Sequence, residues 1–113
     1  MATTERRAAA GSGVSRFRVS DAYRIPLRGY MLRLKLVEGE PRLSVLKPGR
    51  RVTLRAPDGS KRAVRVVGLA TTYGRPTEEG LRSKGEIDIV ISEADAVGDG
   101  RVVAIGWEVL GSA

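Results

Sequence analysis

Arginine and lysine are the residues of this chain whose number and spacing bear on chemistry. Arg24 and Arg28 bracket the turn Ile25-Pro26-Leu27-Arg28-Gly29, and Arg33 and Lys35 follow at alternate positions. Arg50, Arg51, Arg55, Lys61, Arg62 and Arg65 then place six cations in sixteen residues. Guanidinium and ammonium groups arrayed in this way donate charge-assisted hydrogen bonds to phosphate, a contact that needs no base identity. A third group, Tyr73, Arg75, Arg82 and Lys84, combines an aromatic ring with cations, the pairing that stacks on a nucleobase or anchors a protein interface. The candidate nucleic-acid contacts are therefore Arg24, Arg28, Arg33, Lys35, Arg51, Arg55, Arg65, Tyr73, Arg75, Arg82 and Lys84. Set against this is a plainer role, in which long side chains cover apolar surface on a solvated strand face.

Other chemistries lack their residues. There is no His and no Cys, which removes the usual general base, the commonest metal ligand, disulfides and thiolate chemistry together. Ser and Asp have no imidazole to link them, so no triad can be assembled. Glu78/Glu79 and Asp95/Asp99 are not spaced like a calcium loop, which sets its ligands around an obligatory Gly. No Gly-x-x-x-x-Gly-Lys-Ser/Thr occurs, so no loop cradles a nucleotide phosphate. The expectation is a binding module with no catalytic residues, no metal and no cofactor.

Charge is unevenly spread. Residues 1–65 carry 16 Lys/Arg against 5 Asp/Glu, and residues 66–113 carry 4 against 8, within a net +7. Such a split attracts a polyanion to one side, or an acidic protein, or a second copy of the chain head to tail. The expected partners are thus RNA or a ribonucleoprotein, with an acidic protein or self-association as the rival. No run approaches the ~18 apolar residues of a membrane span, and Glu5-Arg-Arg-Ala-Ala-Ala10 is not followed by a hydrophobic stretch, so a cytoplasmic protein without a membrane role is expected.

At 113 residues the chain is sized for one domain. Residues 1–15 lack aromatics and end near Gly11-Ser12-Gly13, which reads as a flexible tail ahead of a domain over 16–113. Strands are expected over 15–23, with Phe17 and Val19 on one face, and over 30–38, where Tyr30/Leu32/Leu34/Leu36 form the longest apolar alternation. A short piece over 42–46 keeps Leu43 and Val45 in step. Residues 50–56 and 61–69 form a hairpin about Pro57-Asp58-Gly59-Ser60, with Arg51, Arg55, Arg65 and Lys61 on one surface. The run Val66-Val67-Gly68-Leu69-Ala70 loses its polar face, which implies burial on both sides or a bulge at Gly68. Residues 71–85 read as a long loop with at most one helical turn at 77–79, the segment where a site is most expected. Strands over 86–92 and 101–110 flank an acidic loop, and Trp107 is expected to close the core. Six to seven strands without a long amphipathic helix give an all-β fold, a small closed antiparallel barrel.

The run Phe17-x-Val19-x-Asp21-x-Tyr23-x-Ile25-x-x-Arg28-Gly29, then Gly39, then Leu46-x-x-Gly49-x-x-Val52-x-Leu54, Val66-x-Gly68-Leu69 and Gly106-x-x-Val109-Leu110 resembles the second domain of translational GTPases, the elongation and initiation factors. The resemblance covers residues 17–110 and implies a small antiparallel β-barrel that helps position a nucleotide domain and touches ribosomal RNA. In the tRNA-carrying members it also contributes to the pocket for the aminoacylated end, here Leu69 to Gly85, with Arg75-Pro-Thr-Glu-Glu-Gly80 as the recognisable part. Departures are Arg50 where an acid is usual, Pro26-Leu27 where a second Gly is common, Tyr30 for a small residue, the charged Arg33 and Lys35, and Ser83-Lys84-Gly85-Glu86 for a more regular turn. The resemblance implies the accessory barrel without its GTPase.

Overall fold

The computed structural model describes residues 15–40, 43–70 and 77–111, so the expected tail lies outside the described residues except for Ser15. Its strands are β1 (Ser15–Ile25), β2 (Gly29–Glu38), β3 (Arg51–Arg55), β4 (Lys61–Ala70), β5 (Glu86–Ile91) and β6 (Glu108–Gly111). They close into an antiparallel barrel in the order β1-β2-β5-β4-β3-β6, as the alternation implies. Closure gives every strand a partner on both sides over part of its length, which shortens the sheet edge left to be shielded.

Side-chain parity dictates what fills the barrel. Phe17 and Val19 of β1, Leu32 and Leu34 of β2, Val52 and Leu54 of β3, Val64 and Val66 of β4, Ile87, Ile89 and Ile91 of β5 and Val109 of β6 all point inward and are buried. Tyr30 and Leu36 pack against this core, completing the apolar face of the second strand. The opposite parity turns Arg18, Arg33, Lys35, Arg51 and Arg65 to solvent.

The first turn differs from expectation at one residue. Arg28 N–H donates to Ile25 O at 3.0 Å, and the positive φ falls on Leu27 (67°), whose side chain is fully exposed, as well as on Gly29 (124°). An L-residue held left-handed is strained, because its Cβ crowds its own backbone carbonyl whatever its surroundings. In the β3–β4 hairpin, Gly59 N–H donates to Ala56 O, Ala56 N–H donates to Ser60 O, and Gly59 takes φ 92°, a three-residue loop of the kind that ends in a left-handed glycine. The expected irregularity in β4 is a bulge. Its register against β5 shifts between Val66 and Gly68, and Val67 is 52% exposed rather than buried on both sides.

Four expectations are corrected. Residues 43–46 form a 3-10 helix (Leu43–Leu46) that buries Val45 and Leu46, rather than a short piece with Leu43 and Val45 in step. The end of the supposed loop is helix α1 (Glu78–Lys84): Thr77 Oγ1 accepts from Gly80 N–H at 2.9 Å, Leu81 is buried, and Gly85 stops the helix at φ 70°. The acidic loop is helix α2 (Glu93–Val97), where Ser92 Oγ accepts from Asp95 N–H at 3.0 Å and the acids Glu93 and Asp95 occupy the first turn, where the helix dipole favours them. The last strand is correspondingly short. Residues 101–107 cross the barrel end as an irregular segment, held by Val103 N–H to Ala96 O and by the pair Gly106 N–H to Val19 O and Val19 N–H to Trp107 O. Val102 and Ile105 are exposed while Val103 and Trp107 are buried, so apolar content here does not mark a two-sided strand.

Candidate nucleic-acid interface

Strand register decides which cations meet acids. On the β1–β2–β5 side of the barrel Arg16, Arg24 and Arg33 are paired with acids, while Arg18 lies opposite Lys35 with no ion pair among the described residues. Arg33 Nε and Nη2 donate to Asp88 Oδ1 and Oδ2 at 3.0 and 3.3 Å, directly across the strands. Arg16 reaches Glu38 at 3.0 Å and Glu108 at 2.6 Å. Arg24 contacts Glu93 at 3.6 Å, and Lys35 sits in register between Arg18 and Glu86. The guanidinium groups of Arg16 and Arg33 are accordingly held above their ordinary pKa, chiefly by their hydrogen bonds to Glu108 and Asp88. These acids belong mostly to the second half of the chain. Folding thus neutralises part of the charge split inside one barrel.

The β3–β4 face is different. Register places Arg51 opposite Arg65 and Arg55 opposite Lys61, with Thr53 and Ala63 between them. Arg65 N–H donates to Asp95 Oδ2 at 3.1 Å, away from β3, and Ala56 N–H bonds Ser60 O. Both like-charge pairs therefore take the non-hydrogen-bonded position of an antiparallel ladder, where Cα atoms approach to ~4.5 Å and side chains lie closest. Such pairing destabilises by a few tenths of a kcal/mol to ~1 kcal/mol. Arg55 is relieved by Glu108, which accepts from its Nε at 2.9 Å and more closely from its Nη2. Glu108 is held below the ordinary carboxylate range by Arg55 first and Arg16 second, against the opposing effect of burial. Arg51, Arg65 and Lys61 have no carboxylate within ion-pair distance among the described residues.

The two cation pairs are four residues apart along each strand, ~13–14 Å at the rise of an antiparallel strand. Between them Thr53 and Ala63 are short, which leaves a shallow trough with positive ends. Among the described residues no aromatic side chain lies on this face, so they can hold a phosphate backbone but offer no ring for a base.

The expected residues therefore divide. Arg51, Arg55 and Arg65 come together, joined by Lys61. Arg33, Lys35 and Arg24 are drawn into the acid-rich side, and Arg28, at the β1–β2 turn, has no ion-pair partner among the described residues. Arg82 and Lys84 are exposed in the last turn of α1, a favourable end for cations. Tyr73 and Arg75 lie outside the described residues, as does most of the supposed loop site.

Arg62, one of the six cations over residues 50–65, turns by parity away from Arg51, Arg55, Lys61 and Arg65. Its Nη2 donates to Ala96 O and to Arg101 O, both at 2.7 Å, while the guanidinium lies over the Trp107 ring. The signal was available: Arg62 shares parity with Val64 and Val66.

No family model matches the chain, and no curated protein matches it. Among the described residues no group of three or more His, Cys, Asp or Glu could hold a metal ion, and no helix is long and apolar enough to cross a membrane.

Proposed function

We propose that this barrel is a non-catalytic module that holds RNA, free or within a ribonucleoprotein, by its phosphate backbone on the outer face of β3–β4. The observation that carries the reading is the direct opposition of Arg51 and Arg65, with Arg55 and Lys61 opposed one trough away. A face that forgoes cross-strand complementarity is less stable alone and gains when phosphates lie between the cations. Kinship with the accessory barrel of translational GTPases belongs to the same proposal and rests on the residues quoted above. Contacts of this kind release counterions, so affinity must fall steeply with salt.

The test is titration with short single- and double-stranded RNA at ~50 and ~200 mM salt, with the wild type and the double variant Arg51→Gln/Arg65→Gln. Binding that falls with salt, and a shallower salt slope for the variant, supports the reading. No binding, or binding that the double variant leaves untouched, removes it.

A further inference from the structure

The β3–β4 face runs into a recess. At the hairpin end Ser60, Lys61 and Arg62 face Asp99, Arg101 and Trp107 across a cavity of about 290 Å³. That volume stands near the lower end of small-molecule sites, ~300 Å³, the size of a single nucleotide rather than of a bare ion.

Its charged lining is three cations against one acid. Two of the cations are fixed in place before any ligand arrives. Arg62 is pinned by the carbonyls of Ala96 and Arg101 and by the Trp107 ring, and Arg101 Nη1 donates to Asp58 Oδ2 at 2.6 Å and to Ser60 Oγ at 3.0 Å. Arg101 keeps other N–H groups to offer. Lys61 has no carboxylate partner among the described residues and lies opposite Arg55 across the strands. Asp99 stands 3.9 Å from Arg62 Nη1 with its side chain 83% exposed, so it can swing into solvent as an anion enters. Arg62 and Arg101 bring N–H groups to the lining, one wall is an aromatic ring, and the three cations outnumber Asp99 and the Asp58 that Arg101 holds.

We propose that this recess binds a phosphate monoester on a nucleotide-sized ligand, with Lys61 and Arg101 donating to the phosphate oxygens and the Arg62–Trp107 stack as the wall. A monoester carries about −1.5 to −2 at neutral pH, against −1 for a backbone diester, and matches a lining with surplus positive charge better. The ligand is either a free nucleotide or the terminal phosphate of an RNA lying on the β3–β4 face. The recess shares only Lys61 with that face, so a free nucleotide as ligand does not depend on the reading above, whereas an RNA end as ligand rests on it.

Trp107 is the only Trp of the chain, which makes its emission a built-in reporter. Titration of the full chain with adenosine monophosphate should give a saturable change in Trp107 emission that inorganic phosphate competes away and adenosine does not produce. Lys61→Gln should weaken it ~10-fold, as loss of one charge-assisted contact does, and Arg51→Gln/Arg65→Gln should leave it unchanged. RNA with a 5′-phosphate binding more tightly than the same RNA with a 5′-hydroxyl identifies the RNA end as the source; equal binding of the two, with a nucleotide response, identifies a free nucleotide. An unchanged emission and amide spectrum up to ~10 mM nucleotide, or an equal response to adenosine, overturns the proposal. The β3–β4 reading fails on a different result, RNA binding indifferent to Arg51→Gln/Arg65→Gln.

Discussion

The guanidinium carbon of Arg62 lies 5.1 Å from the centroid of the Trp107 ring. The contact closes one end of the barrel, since the same guanidinium holds the carbonyls of Ala96 in α2 and of Arg101 in the segment that follows. One side chain from β4 thus ties together the irregular chain that replaces the expected last strand. Arg62→Ala should cost about 2–4 kcal/mol, from two charge-assisted hydrogen bonds and a cation–π contact. Arg62→Lys should recover less than half of that, because a point charge cannot reach both carbonyls as a planar fork does. Urea unfolding of the three proteins measures the difference, and equal stability of Arg62→Ala and the wild type would refute the tie.

Gly29 makes the closest backbone approach at the other side of the barrel. It takes φ 124°, and a Cβ there would sit 2.1 Å from Ile91 O and 3.2 Å from Ile91 C. The obstacle is main chain of β5, which cannot turn aside as a side chain can. Gly29→Ala should therefore destabilise by about 3 kcal/mol or more, from a left-handed conformation and a clash that parts β2 from β5. Gly98→Ala should also be costly, because there the Cβ would meet the Arg62 guanidinium that the carbonyls of Ala96 and Arg101 hold in place. Thermal unfolding that leaves Gly29→Ala as stable as the wild type would count against this account.

How much of this was legible in the sequence depends on where parity operates. In Tyr30–Leu36, Val52–Leu54 and Ile87–Ile91 alternation alone places each side chain, and closure into a barrel follows from the number of such strands. Alternation also predicts that Arg51, Arg55, Arg65 and Lys61 share a surface, and register then pairs them. It misleads at 101–107, where Val102, Val103, Ile105 and Trp107 have the composition of a strand while Gly106 at φ 97° breaks the extended path. Helices α1 and α2 escape because each buries little: Leu81 anchors one and Ala96 the other. Their caps were nonetheless written out, as Thr77 three residues before Gly80 and as Ser92-x-x-Asp95. Which arginines would be neutralised was not legible, because it requires knowing that β5 lies between β2 and β4.

Acid should weaken the fold through two carboxylates. Asp58 is drawn from 3.8 down to about 2, first by the Ser60 backbone N–H, then by the Ser60 hydroxyl and Arg101. Glu108 is lowered from 4.5, by Arg55 above all. A group whose pKa is depressed on folding binds its proton more readily in the unfolded chain. Its stabilisation is complete above the unfolded value and is lost as pH falls through the folded one. Stability should thus be level near neutrality and decline from about pH 4.5 downward, with the Asp58 part disappearing between 3.8 and about 2. Glu108→Gln should be less stable than the wild type by about 1–2 kcal/mol near pH 7, and the gap should narrow as the wild type is acidified. Urea midpoints taken across the acid range give the comparison; a constant gap would contradict it.

The opposition of Arg51 and Arg65 sets stability against binding, and one substitution separates the two. Arg51→Glu replaces a repelling pair in the close ladder position by an attracting one. The free protein should gain about 0.5–1 kcal/mol at low salt, since an unfavourable cross-strand contact is exchanged for a favourable one. Because both side chains are solvated, the gain should shrink as salt rises and screening shortens the reach of the charges. RNA binding should move the other way, falling by more than the neutral Arg51→Gln variant, since the carboxylate repels phosphate where the guanidinium attracted it. Denaturant midpoints at low and high salt, read beside RNA titrations of the same samples, test both halves. A variant that is stabilised yet binds RNA as the wild type does would show that the cations of this face repel one another without serving a phosphate backbone.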